Sequence, residues 1–276
     1  MKQLFDDVSI HCSQLVTRAY STSFSVGILC LQRDLRDPIH AIYGFVRLAD
    51  EIVDSFHDYD KALLLSRFRD DCYRSIDERI SLNPILNSFQ ATVNGFGIDR
   101  SLIDQFLKSM EMDLTHKTYD HSQCEEYILG SAEVVGLMCL QVFLKGDEER
   151  YEKLKPHAMS LGAAFQKVNF LRDLNADYFD LGRSYFPGVD LSRFDQASKK
   201  KVEDSIAEDF KHGFAGIRQL PRSSRFGVYV AYVYYLALFG KIRNTPSQEV
   251  MRTRIRIRTR QKATLLAYSY IKHQFN

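Results

Sequence analysis

The stretch "VRLADEIVD", residues 46–54, decides how this chain folds. Wound as a helix, it places Arg47, Asp50 and Asp54 on one face, one turn after Tyr43. Ile42, Phe45, Ile52 and Val53 flank that face. Two carboxylates and an arginine beside such apolar neighbours call for a matching polar stripe elsewhere.

"LGAAFQKVNFLRDLNADYFDLGRSYFP", residues 161–187, supplies one. Counted from Gly162, the residues Gln166, Asn169, Asp173 and Asp177 follow at steps of four, three, four and four, which is one helical face. Phe165, Val168, Phe170, Leu171 and Leu174 cover much of the remainder, Arg172 sits beside the stripe, and Arg183 follows it.

If the two stripes confront each other, four aspartates converge with Glu51 nearby. Like charges about 5 Å apart in a partly dry site repel by several kcal/mol. Cations relieve that. Oxygen-only ligands suit Mg²⁺ (with Mn²⁺ as a substitute), which completes its shell with water and substrate phosphates. Neighbouring arginines then take the remaining phosphate oxygens. A diphosphate head with a hydrocarbon tail fits such a polar mouth over apolar walls. The residues alone leave a plainer reading open, in which Arg47 forms an ordinary intrahelical ion pair and Gln166 and Asn169 are satisfied core amides.

The chain has 276 residues, 45% of them hydrophobic, so it holds enough apolar side chain for a sizeable core. A net charge of +2 argues against a general nucleic-acid binder. Five cysteines without a CxxC pair suggest free thiols in a reducing compartment. The start, "MKQLFDDVSIHC", lacks signal-peptide features, and "VYVAYVYYLALF" (228–239) is too short to span a membrane. A soluble, cytoplasmic protein is the expectation.

Helical periodicity predicts helices over 4–28, 38–54, 59–79, 84–93, 99–116, 123–145, 150–180, 197–214, 223–241 and 247–273. Asp37-Pro38 reads as a cap followed by a first-turn proline, Ser122 and Glu125 as a capping box, and Thr245–Gln248 as a box with a first-turn proline. No hairpin signal or alternation of strands with helices interrupts them. The fold class is all-α, a single domain with a central apolar cavity. "RTRIRIRTR" (252–260) has arginine at every second position, a strand period; its helical neighbours assign it to a helix.

The chain resembles the squalene/phytoene synthase family, which joins two prenyl diphosphates head to head. "YSTSF" (20–24), "AIYGFVRLADEIVD" (41–54), "YILGSAEVVGLM" (127–138), "QKVNFLRDLNAD" (166–177) and "GRSYFP" (182–187) carry the likeness in family order. The resemblance implies an isoprenoid-synthase helical bundle. It implies that Asp50, Glu51, Asp54, Asn169, Asp173 and Asp177 hold metal. It further implies that Arg47, Gln166, Arg172, Arg183, Ser21 and Tyr234 serve the diphosphate, and that Tyr43 and Phe24 form the reactive wall. The sequence departs from the family pattern at Ala176, Leu129 and Glu133.

The implied reaction is condensation of two geranylgeranyl diphosphates through a cyclopropylcarbinyl diphosphate to phytoene, without NADPH. A farnesyl-using enzyme making dehydrosqualene, or squalene with NADPH, stays open. A di-iron carboxylate bundle would need Glu-x-x-His pairs, and the sequence has none. The arginines of 252–262 have three readings: a solvated helix face, a surface for nucleic acid, or attraction to a membrane surface.

Overall fold

The computed structural model describes residues 1–115, 118–180, 182–189 and 194–274. The described residues form helices and connecting loops with no strand, as the periodicity predicts; the expected end of one helix at 116 lies outside them. The helices are α1 (Lys2–Tyr20), α2 (Thr22–Leu29), α3 (Arg33–Asp54), α4 (Lys61–Glu78), α5 (Pro84–Phe96) and α6 (Arg100–Thr115). Then come α7 (His121–Ile128), α8 (Val134–Leu144), α9 (Glu148–Asn175), α10 (Gln196–Ile217), α11 (Arg222–Arg243), α12 (Ser247–Val250) and α13 (Thr259–Gln274). Two π-turns interrupt the pattern, Leu129–Glu133 between α7 and α8 and Ala176–Asp180 after α9.

The core is built around α3. Phe45 is fully buried and stacks on Phe89 of α5 with ring centroids 3.9 Å apart, and Phe68 of α4 lies 5.4 Å away. Such aromatic pairs add to the gain from burial alone. The helix α1 packs on both α3 and α5 across a polar seam. Ser13 and Ser88 share a 2.7 Å hydrogen bond, and His40 Nδ1 lies 3.0 Å from Thr17 Oγ1. Every buried hydroxyl on that seam has a partner, which offsets its desolvation. The His121–Leu144 run has a mean hydropathy of 1.7 and the length of a membrane span. It packs against α6, α9 and α3, where Leu137, Met138 and Val142 enter the core.

Several sequence expectations change. The helix expected over 4–28 divides at Ser21, whose hydroxyl accepts the Phe24 amide at 3.1 Å and starts α2 afresh. The helix expected from Pro38 begins at Arg33, because burying Leu35 completely draws the preceding turn into the helix; Pro38 then lies inside α3. Asp120, not Ser122, caps α7, paired reciprocally with Gln123. No side-chain cap opens α12, whose first residue is Ser247.

The predicted helix over 247–273 is likewise broken. Residues 254–258 are non-helical and their burial alternates, with Ile255 buried, Ile257 half-buried and Arg254, Arg256 and Arg258 exposed, as along an extended chain. Alternation of faces along an extended chain satisfies the two-residue period; a helix would have wrapped arginine around all sides.

Candidate active site

The last turns of α3 carry the first acidic ridge. Arg47 pairs with Asp50 and with Glu51, and its guanidinium lies 4.2 Å above the ring of Tyr20. Arg47 Nε is buried with no hydrogen-bond partner. Asp54, the final residue of α3, accepts a 2.8 Å bond from Arg183 Nη1.

The second ridge lies on α9. Arg172 Nε donates to Asp173 at 3.0 Å, and Arg254 Nε reaches the same carboxylate at 2.7 Å from the extended segment. Asp177 falls just past α9, in the π-turn, and its carbonyl accepts the Arg183 amide at 2.7 Å. Arg183 thus joins the tail of the second ridge to the end of the first. The two ridges face each other.

Asp113 of α6, absent from the sequence-derived set, completes the junction. Its carboxylate accepts the hydroxyls of Tyr119 at 2.8 Å, Tyr127 at 2.8 Å and Tyr185 at 3.0 Å. Arg183 Nη2 donates to its carbonyl at 3.1 Å, and Arg183 Nη1 lies 3.7 Å from its carboxylate. Both side chains are less than a tenth exposed. No spacing in "KSMEMDLT" (108–115) marks this aspartate. The only sequence signal is the supply of tyrosines from three other segments.

Crowding shows in the protonation of the carboxylates. Burial, then the neighbouring Asp54 charge, pushes Asp50 up to about 7. A third of the Asp50 side chain stays open, but it opens into a recess shared with other acids. Burial, then Asp173 and Asp54, does the same to Asp177, also to about 7. Among the described residues no three carboxylate, imidazole or thiol groups converge on a metal position. Arginines already hold Asp50, Glu51, Asp54 and Asp173. The donor set still fits a hard divalent cation. It is all oxygen and crowded by like charge at Asp50 and Asp177, and Mg²⁺ needs only one or two carboxylates when it keeps water and phosphate. The free Arg47 Nε is a donor suited to an anion arriving with that cation.

Below the ridges lies a cavity of about 320 Å³, within the size range of small-molecule sites. Its neck is aromatic. Phe165 and Tyr235 stack at 4.0 Å, and Phe24 lies 5.7 Å from Tyr235, 6.2 Å from Phe165 and 6.0 Å from Tyr43. Gln166 and Asn169 line it on the α9 side, where Asn169 Nδ2 donates to Gln166 at 3.4 Å. Burial pushes the Tyr43 phenol up to about 12, so it stays protonated. Ser21 caps the helix carrying Phe24.

Tyr234, expected at the diphosphate, points elsewhere: its hydroxyl donates to the Lys262 carbonyl at 2.8 Å. Tyr235 lines the cavity instead and donates to Asn169 Oδ1 at 3.3 Å. One residue turns a helix by about 100°. The aromatic run "AYVYYLALF" has no polar face to fix that rotation.

Known proteins are similar to this chain in sequence and in fold. Phytoene synthase 1 of Solanum lycopersicum is 25% identical over 82% of this chain, which spans 59% of that relative's length. The 15-cis-phytoene synthase of Synechocystis sp. is 26% identical, covering 95% of this chain and 84% of the relative. A crystal structure of a dehydrosqualene synthase in complex with ligand superposes with a TM-score of 0.84 at 19% identity, covering 98% of each chain. The Squalene/phytoene synthase family profile matches residues 17–261, most of the chain and both acidic ridges, and the chain belongs to that family.

Proposed function

We propose that this protein condenses two geranylgeranyl diphosphates head to head to phytoene, a transferase step in carotenoid biosynthesis. The carrying observation is the pair of facing acidic ridges at the mouth of a deep apolar cavity. The lining face of α9 runs from Leu154 to Asn169, about 22 Å at 1.5 Å per residue. Carbon–carbon bonds of about 1.5 Å advance an extended isoprene unit by about 5 Å, so a C20 chain needs about 20 Å and a C15 chain about 15 Å. The cavity suits the longer one.

Asp50, Glu51 and Asp54 on one ridge and Asp173 and Asp177 on the other would hold Mg²⁺, which supplies charge stabilisation for a departing diphosphate. Arg47, Arg183 and Arg254 then exchange carboxylate partners for phosphate oxygens, placing positive charge where negative charge develops. One substrate loses its carbon–oxygen bond as diphosphate departs, the double bond of the second attacks the allylic cation, and loss of a proton closes the ring to the cyclopropylcarbinyl diphosphate. A second ionisation expels the remaining diphosphate, and rearrangement with loss of a second proton gives the product. Phe24, Tyr43, Phe165 and Tyr235 turn ring faces and edges to the neck, where they exclude water and favour a nearby cation. Tyr43, held as the neutral phenol, can donate a hydrogen bond there.

Incubation with Mg²⁺ and either geranylgeranyl or farnesyl diphosphate, with and without NADPH, tests this. Phytoene from the C20 substrate without reductant is the expected product. Turnover of the C15 substrate alone refutes the chain length, and no turnover of either refutes the activity.

A further inference from the structure

The deep half of the cavity is walled by small residues. Gly136 of α8 and Ala158 of α9 lie against each other there, and Gly27 of α2 meets Gly227 of α11. A Cβ on Gly136 would come within 3.1 Å of the Ala158 carbonyl, so close approach of α8 and α9 accounts for that glycine. Ala158 is mostly buried against the core, and it lines the cavity.

The position of Ala158 is informative. It stands eleven residues below Asn169 on α9, about 16 Å at 1.5 Å per residue. Three extended isoprene units take up about 15 Å. One turn further down α9, about 6 Å, Leu154 lines the same cavity, a length close to one further unit, and Ile217 and Leu220 line it as well.

We infer that Ala158 is the chain-length determinant of this protein: its small side chain admits the fourth isoprene unit of a C20 substrate to the chamber floored by Leu154, Ile217 and Leu220. The inference rests on the prenyl diphosphate activity proposed above. A larger side chain at 158 closes the chamber without touching the diphosphate end, so it discriminates against the fourth unit alone. A tail that cannot descend holds its C1 carbon out of register with the acidic ridges, and such misplacement lowers turnover as well as binding.

The test compares wild type with Ala158→Phe and Ala158→Met, the latter flexible enough to adapt to an irregular space. The expected result is a fall of tenfold or more in the ratio of kcat/KM for geranylgeranyl over farnesyl diphosphate, with C15 turnover kept or raised. An unchanged ratio in a folded variant overturns the inference while leaving the activity intact. Wild type inactive on both substrates overturns the activity itself. A measurement on wild type covers variants that fail to fold. A geranylgeranyl diphosphate analogue with a diazirine on its last isoprene unit should label peptides containing Leu154 or Ile217. Labelling confined to residues between Ala158 and Asn169 overturns the inference.

Discussion

Arg183 is held from two sides, by Asp54 at 2.8 Å and by the carbonyl of Asp113 at 3.1 Å. Asp113→Asn removes one of the two carboxylates near it and a charged acceptor for three tyrosine hydroxyls. Arg183 keeps its pair with Asp54, so stability is expected to fall by about 1–3 kcal/mol in urea unfolding. The exposed pair Arg100–Asp77 serves as comparison and should cost less than about 1 kcal/mol. Arg254 is half-exposed and reaches Asp173 from an extended segment, so Arg254→Ala leaves the fold intact. It should raise KM for the prenyl diphosphate several-fold, an effect that fades with added salt in steady-state assays. The two ridges were legible in sequence because unlike chemistry recurred at helical spacing. Asp113 was not, since a single carboxylate has no period, and its role comes from tyrosines brought from residues 119, 127 and 185.

Helix–helix approach sets a second group of outcomes. Gly130 and Gly162 lie where a Cβ would meet backbone oxygen, Gln105 at 2.5 Å and Ala132 at 2.7 Å. Backbone cannot retreat as a side-chain tip can. Gly130→Ala and Gly162→Ala are therefore expected to destabilise by about 1–3 kcal/mol, although alanine is the better helix former. Gly95, in α5, has nothing within 4 Å of its built Cβ, and Gly95→Ala should stabilise by up to about 1 kcal/mol. Thermal unfolding of the three variants reads both signs. Most helices were legible from apolar periodicity, with their ends displaced where burial or a cap intervened. The 252–260 arginine run carried its own answer in its two-residue period, but the burial of Ile255 is a tertiary fact.

Across the molecule, opposite protonation effects meet. Burial pushes His40 down to about 4, against a raising contribution from Asp37 and lowering ones from Arg18 and Arg36. A depressed histidine stabilises the fold fully above its unfolded value near 6.5 and loses that contribution as pH falls toward 4, by up to about 3 kcal/mol. Asp50, Asp177 and Glu133, each raised to about 7, act the other way: their strain at neutral pH is relieved as pH falls. Comparing His40→Gln with wild type by denaturant unfolding isolates the histidine. The stability gap should narrow between pH 6.5 and 4. The all-α bundle followed from the sequence pattern, which offered two acidic stripes without fixing that they meet, whereas their confrontation and the cavity depth required the packing of six helices. That confrontation is the central claim, and a double-mutant cycle on magnesium-dependent binding of inorganic diphosphate, by calorimetry, tests it most directly. Asp54→Asn and Asp177→Asn should each weaken binding at least tenfold, and the double variant should bind no worse than the weaker single one, because one shared site is lost only once. Losses that multiply in the double variant would mean the ridges act at separate sites, and would contradict a jointly held diphosphate.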